Sequence, residues 1–145
     1  MKRQVGTDRS RPGRTAPPKE ACCVRRVPCP MCDGDERESC DNCGGVGTVE
    51  ETETVFRMFP EGDVIALFPT VPADLAGHCS SYMHIGQHGA ADYHHVIGRT
   101  RPAGSDEHHD LLLELSRLGY AVRAMRRASR RMHDDRQSEL HGWLR

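Results

Sequence analysis

Four cysteines set in two C-x-x-C pairs, Cys29-Pro-Met-Cys32 and Cys40-Asp-Asn-Cys43, constrain this chain more than any other feature. Each C-x-x-C turn points two thiolates at one centre, and two such turns supply the tetrahedral four-sulfur shell that structural zinc favours. Glycines at 34, 44, 45 and 47 follow the pairs, where amides turn inward toward sulfur without a Cβ in the way. The expectation is one structural Zn(2+) held by Cys29, Cys32, Cys40 and Cys43 in a short β-hairpin knuckle. Reduced buried cysteines and an iron–sulfur cluster are the competing readings of the same spacing. Four thiolates leave no open coordination position, which fits a structural ion better than a hydrolytic one.

With 145 residues, the chain has room for such a knuckle and one compact domain, not for two sizeable cores. Only 5% of the residues are aromatic, and 14 Gly and 9 Pro suggest many loops around a modest core, the setting in which a staple is needed. The formal charge of -1 hides an asymmetry. Residues 1–28 hold eight basic side chains against two acidic, 29–122 five against sixteen, and 123–145 seven against three. Basic ends on an acidic body point either to nucleic-acid contacts or to arms folded onto their own acidic surface. No apolar run follows the basic start, and no stretch approaches the length of a membrane span, so the expected location is cytoplasmic. In that setting seven cysteines, four of them paired, read as metal ligands before disulfides.

The fold class expected is α+β: a small zinc-stabilised β-hairpin knuckle, then a compact domain with a β-hairpin and one main helix. Residues 1–21, rich in Arg and Pro with Gly and Thr, read as a disordered basic arm, 22–49 as the knuckle, 50–125 as the small α+β domain and 126–145 as a basic C-terminal tail. Thr48–Met58 reads as a strand, Pro60-Glu61-Gly62-Asp63 as a turn and 64–68 as the returning strand. Irregular structure is expected over 73–102, with a short helix near 90–97. A helix follows, with Ser105 as N-cap, Leu111, Leu112, Leu115 and Leu118 at helical spacing and Gly119 at its end. A further strand is expected over 120–125, against the hairpin.

The knuckle segment, Cys29-Pro-Met-Cys32-Asp-Gly34 with Cys40-Asp-Asn-Cys43-Gly-Gly45-Val-Gly47, resembles two C-x-x-C-x-G-x-G repeats of the DnaJ-type zinc domain. The second repeat matches throughout; the first has Glu36 where the last glycine belongs. In that family two repeats make one zinc site, so the resemblance implies a single site here, and isolated knuckles of this kind imply a protein-binding role. It covers 29–47 alone. No His-Pro-Asp tripeptide occurs, so the chaperone-stimulating activity of that family is not implied. The segment 63–101, around Ser81-Tyr-Met-His-Ile-Gly-Gln-His-Gly-Ala-Ala-Asp-Tyr93, resembles a block of small uncharacterised bacterial and phage proteins, and brings no activity with it.

Five of the nine histidines fall in 73–102. His84, His88 and Asp92 are candidates for a second metal site, and Cys79 beside His78 for a thiol nucleophile, although neither spacing follows a known template. The bland reading is loop hydrogen bonding above Tyr82 and Tyr93. Cys22, Cys23 and Cys79 read first as small buried residues, with Cys23 a substitute ligand. Arg123, Arg126, Arg127, Arg130 and Arg131 are candidates for nucleic-acid contact, but aromatic stacking partners are missing from the run and a solvated face explains it as well. The leading expectation is a zinc-binding, non-enzymatic adaptor or regulatory module that contacts a protein or nucleic acid. Its rival is a metal- or thiol-dependent enzyme using the histidine-rich segment 78–95.

Overall fold

The computed structural model describes residues 25–35, 39–84 and 86–145. The basic arm 1–21, Cys22, Cys23 and Glu36 lie outside the described residues. The strand β1 (Arg26–Pro28) pairs antiparallel with the start of β2 (Thr48–Met58), placing Val27 opposite Val49. The knuckle is the loop between them.

Past Glu50, β2 leaves the knuckle and becomes the central strand of the body. Thr54, Val55, Phe56 and Arg57 are all buried. A run buried on both faces marks a strand covered from both sides. Gly62, at φ +99°, closes the turn to β3 (Val64–Pro72), with the Phe59 amide donating to the Asp63 carbonyl at 2.8 Å. The register of β3 breaks between Phe68 and Pro72, where Pro69 has no amide proton to give the ladder.

The segment expected to be irregular is instead an antiparallel hairpin, β4 (Cys79–Met83) and β5 (Gln87–Ala91), added to β3. Its Ser, Gly, Ala and His residues carry little β-propensity, and pairing along β3 overrides it. The short helix α1 (Tyr93–Arg99) begins three residues later than expected, where the Asp92 carboxylate accepts the His95 amide at 3.1 Å. Then β6 (Arg101–Pro102) pairs with the end of β2. The expected helix is present as α2 (Ser105–Arg117), with Gly104 rather than Ser105 at the cap position. The Glu107 carboxylate, not a Ser105 hydroxyl, takes the Gly104 amide at 2.7 Å. Leu111 and Leu115 are buried, while Leu118 is exposed. Finally β7 (Ala121–Met125) lies parallel to β2 from Glu51 to Val55.

Over the described residues the result is a mixed fold, a largely antiparallel seven-stranded sheet with helices on both faces. Val55, Ile65, Leu67, Cys79 and Ala91 pack with Tyr93 and Val96 of α1 on one face. Phe56, Ala66, Phe68 and Tyr82 pack with Leu111 and Leu115 of α2 on the other.

The segment expected as a tail holds a third helix, α3 (Arg130–Trp143), capped by the Ser129 hydroxyl and packed on β3. Met132, Arg136 and Leu140 are its buried residues, spaced four apart on one face. The middle member is an arginine, which hides the stripe in the sequence. Its guanidinium satisfies itself on the Pro69 and Gly77 carbonyls, at 2.5 and 3.1 Å. Among the described residues no helix is long and apolar enough to cross a membrane.

Candidate metal centre

The four predicted ligands converge. Two reverse turns carry Cys29 and Cys32: the Gly34 amide returns to the Cys29 carbonyl at 3.3 Å and the Asp35 amide to the Cys32 carbonyl at 2.8 Å. Asp33 and Gly34 both take left-handed backbone, φ +52° and +79°. Gly34 is needed twice over, because a Cβ there would also meet the Pro28 side chain at 3.2 Å. In the second pair the Val46 amide returns to the Cys43 carbonyl at 3.3 Å after Gly44 and Gly45 at φ +61° and +84°, and the Cys29 amide bonds the Gly47 carbonyl at 2.9 Å, closing the loop on itself.

All four Sγ atoms lie within 4.8 Å of one another. Cys29 Sγ is 3.8 Å from Cys40 Sγ, and Cys32 Sγ is 3.8 Å from Cys43 Sγ. A tetrahedral shell with Zn–S bonds of about 2.3 Å has sulfur–sulfur edges of about 3.8 Å. A disulfide instead needs about 2.05 Å. The donor set and its spacing therefore fit a four-coordinate metal ion. Cys29 and Cys32 are buried, while Cys40 and Cys43 are partly exposed.

Hydrogen bonds to sulfur prepare the thiolates. The Asn42 Nδ2 donates to Cys29 Sγ at 3.3 Å and lowers that thiol to about 6, more than offsetting its burial. Burial pushes Cys32 up to about 12, with the neighbouring thiols adding to the rise. Burial also acts to raise Cys43, but the Gly47 amide, 3.3 Å from its sulfur, and further donors bring it below the ordinary thiol value. Cys29 and Cys43 are thus held toward the thiolate form and Cys32 away from it. A cation then draws the rest into the thiolate form and releases their protons.

The remaining candidates are dispersed. Among the described residues only the four cysteines group closely enough to hold a metal ion. His84 Nδ1 faces Glu114 Oε2 at 2.5 Å, His88 Nε2 faces the Tyr120 hydroxyl at 3.0 Å, and Asp92 caps α1. The Tyr82 hydroxyl donates to the other Glu114 oxygen and, with His84, holds that carboxyl below its usual range. His78 pairs with Asp74 at 2.6 Å, and His94 stacks on His133 with ring centroids 5.3 Å apart. Tyr82 and Tyr93 are buried on opposite faces of the sheet. Cys79 is fully buried, its thiol donating to the Ala91 carbonyl at 3.3 Å, and burial pushes its pKa to about 11. That places it in the core as a small apolar residue rather than as a nucleophile.

The arginine run is divided between β7 (Arg123), the loop after it (Arg126, Arg127) and α3 (Arg130, Arg131). Arg123 and Arg131 both face Glu53, at 3.8 and 3.0 Å, and Arg131 also bonds Asp135. Arg130 lies 3.9 Å from Asp134. Arg126 borders a shallow cavity of about 310 Å³ with Phe56, His108 and Met125, and Arg127 is exposed. The basic C-terminal segment is in part folded against acidic residues of its own body.

Sequence reasoning missed Asn42, whose amide touches both the Cys29 sulfur and the body of the protein. Its position inside the second C-x-x-C pair is the only signal available. No family model, curated protein or solved structure matches this chain.

Proposed function

We propose that this protein is a zinc-binding, non-enzymatic adaptor or regulatory module whose knuckle contacts a protein partner. The observation that carries the reading is the four-sulfur cluster, with edges of 3.8 Å and amide donors already aimed at its sulfurs. The ion's role is to hold residues 29–35 and 39–47 in one shape, since four thiolates leave it no site for substrate. Zinc is the metal that best suits a closed tetrahedral thiolate shell.

The shape so held displays apolar side chains. Met31 and Val46, one in each half of the knuckle, are 54% and 57% exposed, an arrangement suited to a protein surface rather than to phosphates. The DnaJ-type resemblance of the repeats supports the same partner class. Nucleic acid is the less favoured partner, because Arg123 and Arg131 are directed at Glu53.

The test is affinity capture with the zinc-loaded chain, the Met31→Asp/Val46→Asp variant and the Cys40→Ser/Cys43→Ser variant. A defined protein retained by the wild type and lost from both variants is the expected result. Equal retention by all three, or capture that depends on nucleic acid and disappears with nuclease, would contradict it.

A further inference from the structure

Asn42 occupies a variable position of its C-x-x-C pair, so metal binding alone does not explain it. Its Nδ2 lies 3.3 Å from Cys29 Sγ and 3.0 Å from the Gly119 carbonyl oxygen. A carboxamide nitrogen carries two hydrogens, so one nitrogen serves both acceptors at once. With the amide turned over, its oxygen would face the Gly119 carbonyl oxygen and, with Cys29 as the thiolate a metal ion requires, a sulfur with no proton to give.

The other side of this contact is equally specific. Gly119 follows the end of α2 at φ +100°, and a Cβ added there would stand 2.1 Å from Asn42 Oδ1. Only glycine permits both the turn and the approach. The next residue, Tyr120, stacks on Phe68 with centroids 5.2 Å apart and meets His88 through its hydroxyl, and β7 begins at Ala121. The knuckle therefore rests on the turn that feeds the parallel strand of the body.

Resting on the metal reading above, we propose that Asn42 is a positioning residue for the metal centre. It fixes the Cys29 sulfur for the ion and, with the same nitrogen, ties the knuckle to the turn after α2, so that metal occupancy stabilises β7 on β2. A donor that hydrogen-bonds a ligating atom from outside orients that ligand and tunes its donor strength. Here the donor also reaches 77 residues along the chain.

The test uses the full chain with Asn42→Asp, which keeps the shape but removes both donor bonds, and Asn42→Ala, which adds no charge. Three quantities are read: zinc affinity by chelator competition, the thiolate-to-metal charge-transfer band of the cobalt form, and zinc-dependent amide protection over 118–125. Wild type is expected to bind one zinc and to gain protection over 118–125 on binding. Both variants are expected to bind about tenfold more weakly or worse, with a displaced cobalt band and no zinc-dependent gain over 118–125. Protection over 64–68 stays as in wild type, showing that the body is folded. Unchanged affinity and band in the variants, or a zinc-dependent gain over 118–125 equal to that of wild type, would overturn the role of Asn42. A wild type that binds no zinc would overturn the metal reading itself.

Discussion

Among the described residues of the knuckle, the buried side chains are Cys29 and Cys32, and order comes from tight turns closing on four sulfurs. In the body, Val55, Leu67, Phe68, Tyr82 and Leu115 are buried on two faces of one sheet, and order comes from apolar packing. The two regions share the strand β2, whose first residues pair with β1 and whose last pair with β3. A loop with no apolar core must be closed by something as strong as a core, and a thiolate-bound ion meets that need. The contrast says that metal and packing are separable sources of stability in this chain, joined at β2 and at the Asn42–Gly119 contact.

The largest effect expected is on the knuckle and, through Asn42, on the 118–125 segment tied to it. Structural zinc contributes on the order of 10–16 kcal/mol of apparent binding free energy in small thiolate sites. Removing the metal with a strong chelator is expected to abolish amide protection over 29–35 and 39–47 while the amides of 55–58 and 64–68 exchange as slowly as before. Loss of protection in both regions together would merge the two into one metal-dependent unit. Next comes the converse change, Leu115→Ala, which opens a cavity where a fully buried side chain meets the sheet. It is expected to cost about 2–5 kcal/mol in denaturant unfolding and to leave the metal content unchanged.

The smallest effect concerns acid. Arg101, 2.6 and 2.8 Å from the two Glu107 oxygens, holds that carboxyl down at about 2, with the Gly104 amide adding to it. A carboxyl depressed in the folded state adds stability that is complete above its ordinary value of 4.5 and lost as the pH falls toward 2. Glu107→Gln removes this contribution. Measured without metal, in a Cys40→Ser/Cys43→Ser background where thiolate protonation at the centre does not interfere, Tm is expected to fall less between pH 4.5 and 2 in Glu107→Gln than in its parent. Parallel acid limbs would place the acid sensitivity elsewhere.

The two regions also differed in how far the sequence revealed them. The ligands were legible because C-x-x-C spacing is a local signal, complete within a few residues. Thr48–Met58 matched its expected bounds because β-branched and apolar residues run together there. The hairpin β4–β5 was hidden because its residues are strand-forming only beside β3, a long-range fact. Helix α3 was hidden because Arg136 occupies a core position and is paired with carbonyls from residues 69 and 77. Asn42 gave no sign of its second contact, since its partner Gly119 lies far along the chain. The histidines were dense in sequence, yet His84, His88 and Asp92 each take a different partner in space.

Metal content per chain, measured by elemental analysis on the wild type and on Cys40→Ser/Cys43→Ser, tests the central claim most directly. One zinc per chain in the wild type and none in the variant is the predicted result. A wild type purified with zinc available that holds none, or a variant that keeps its metal, would contradict the account.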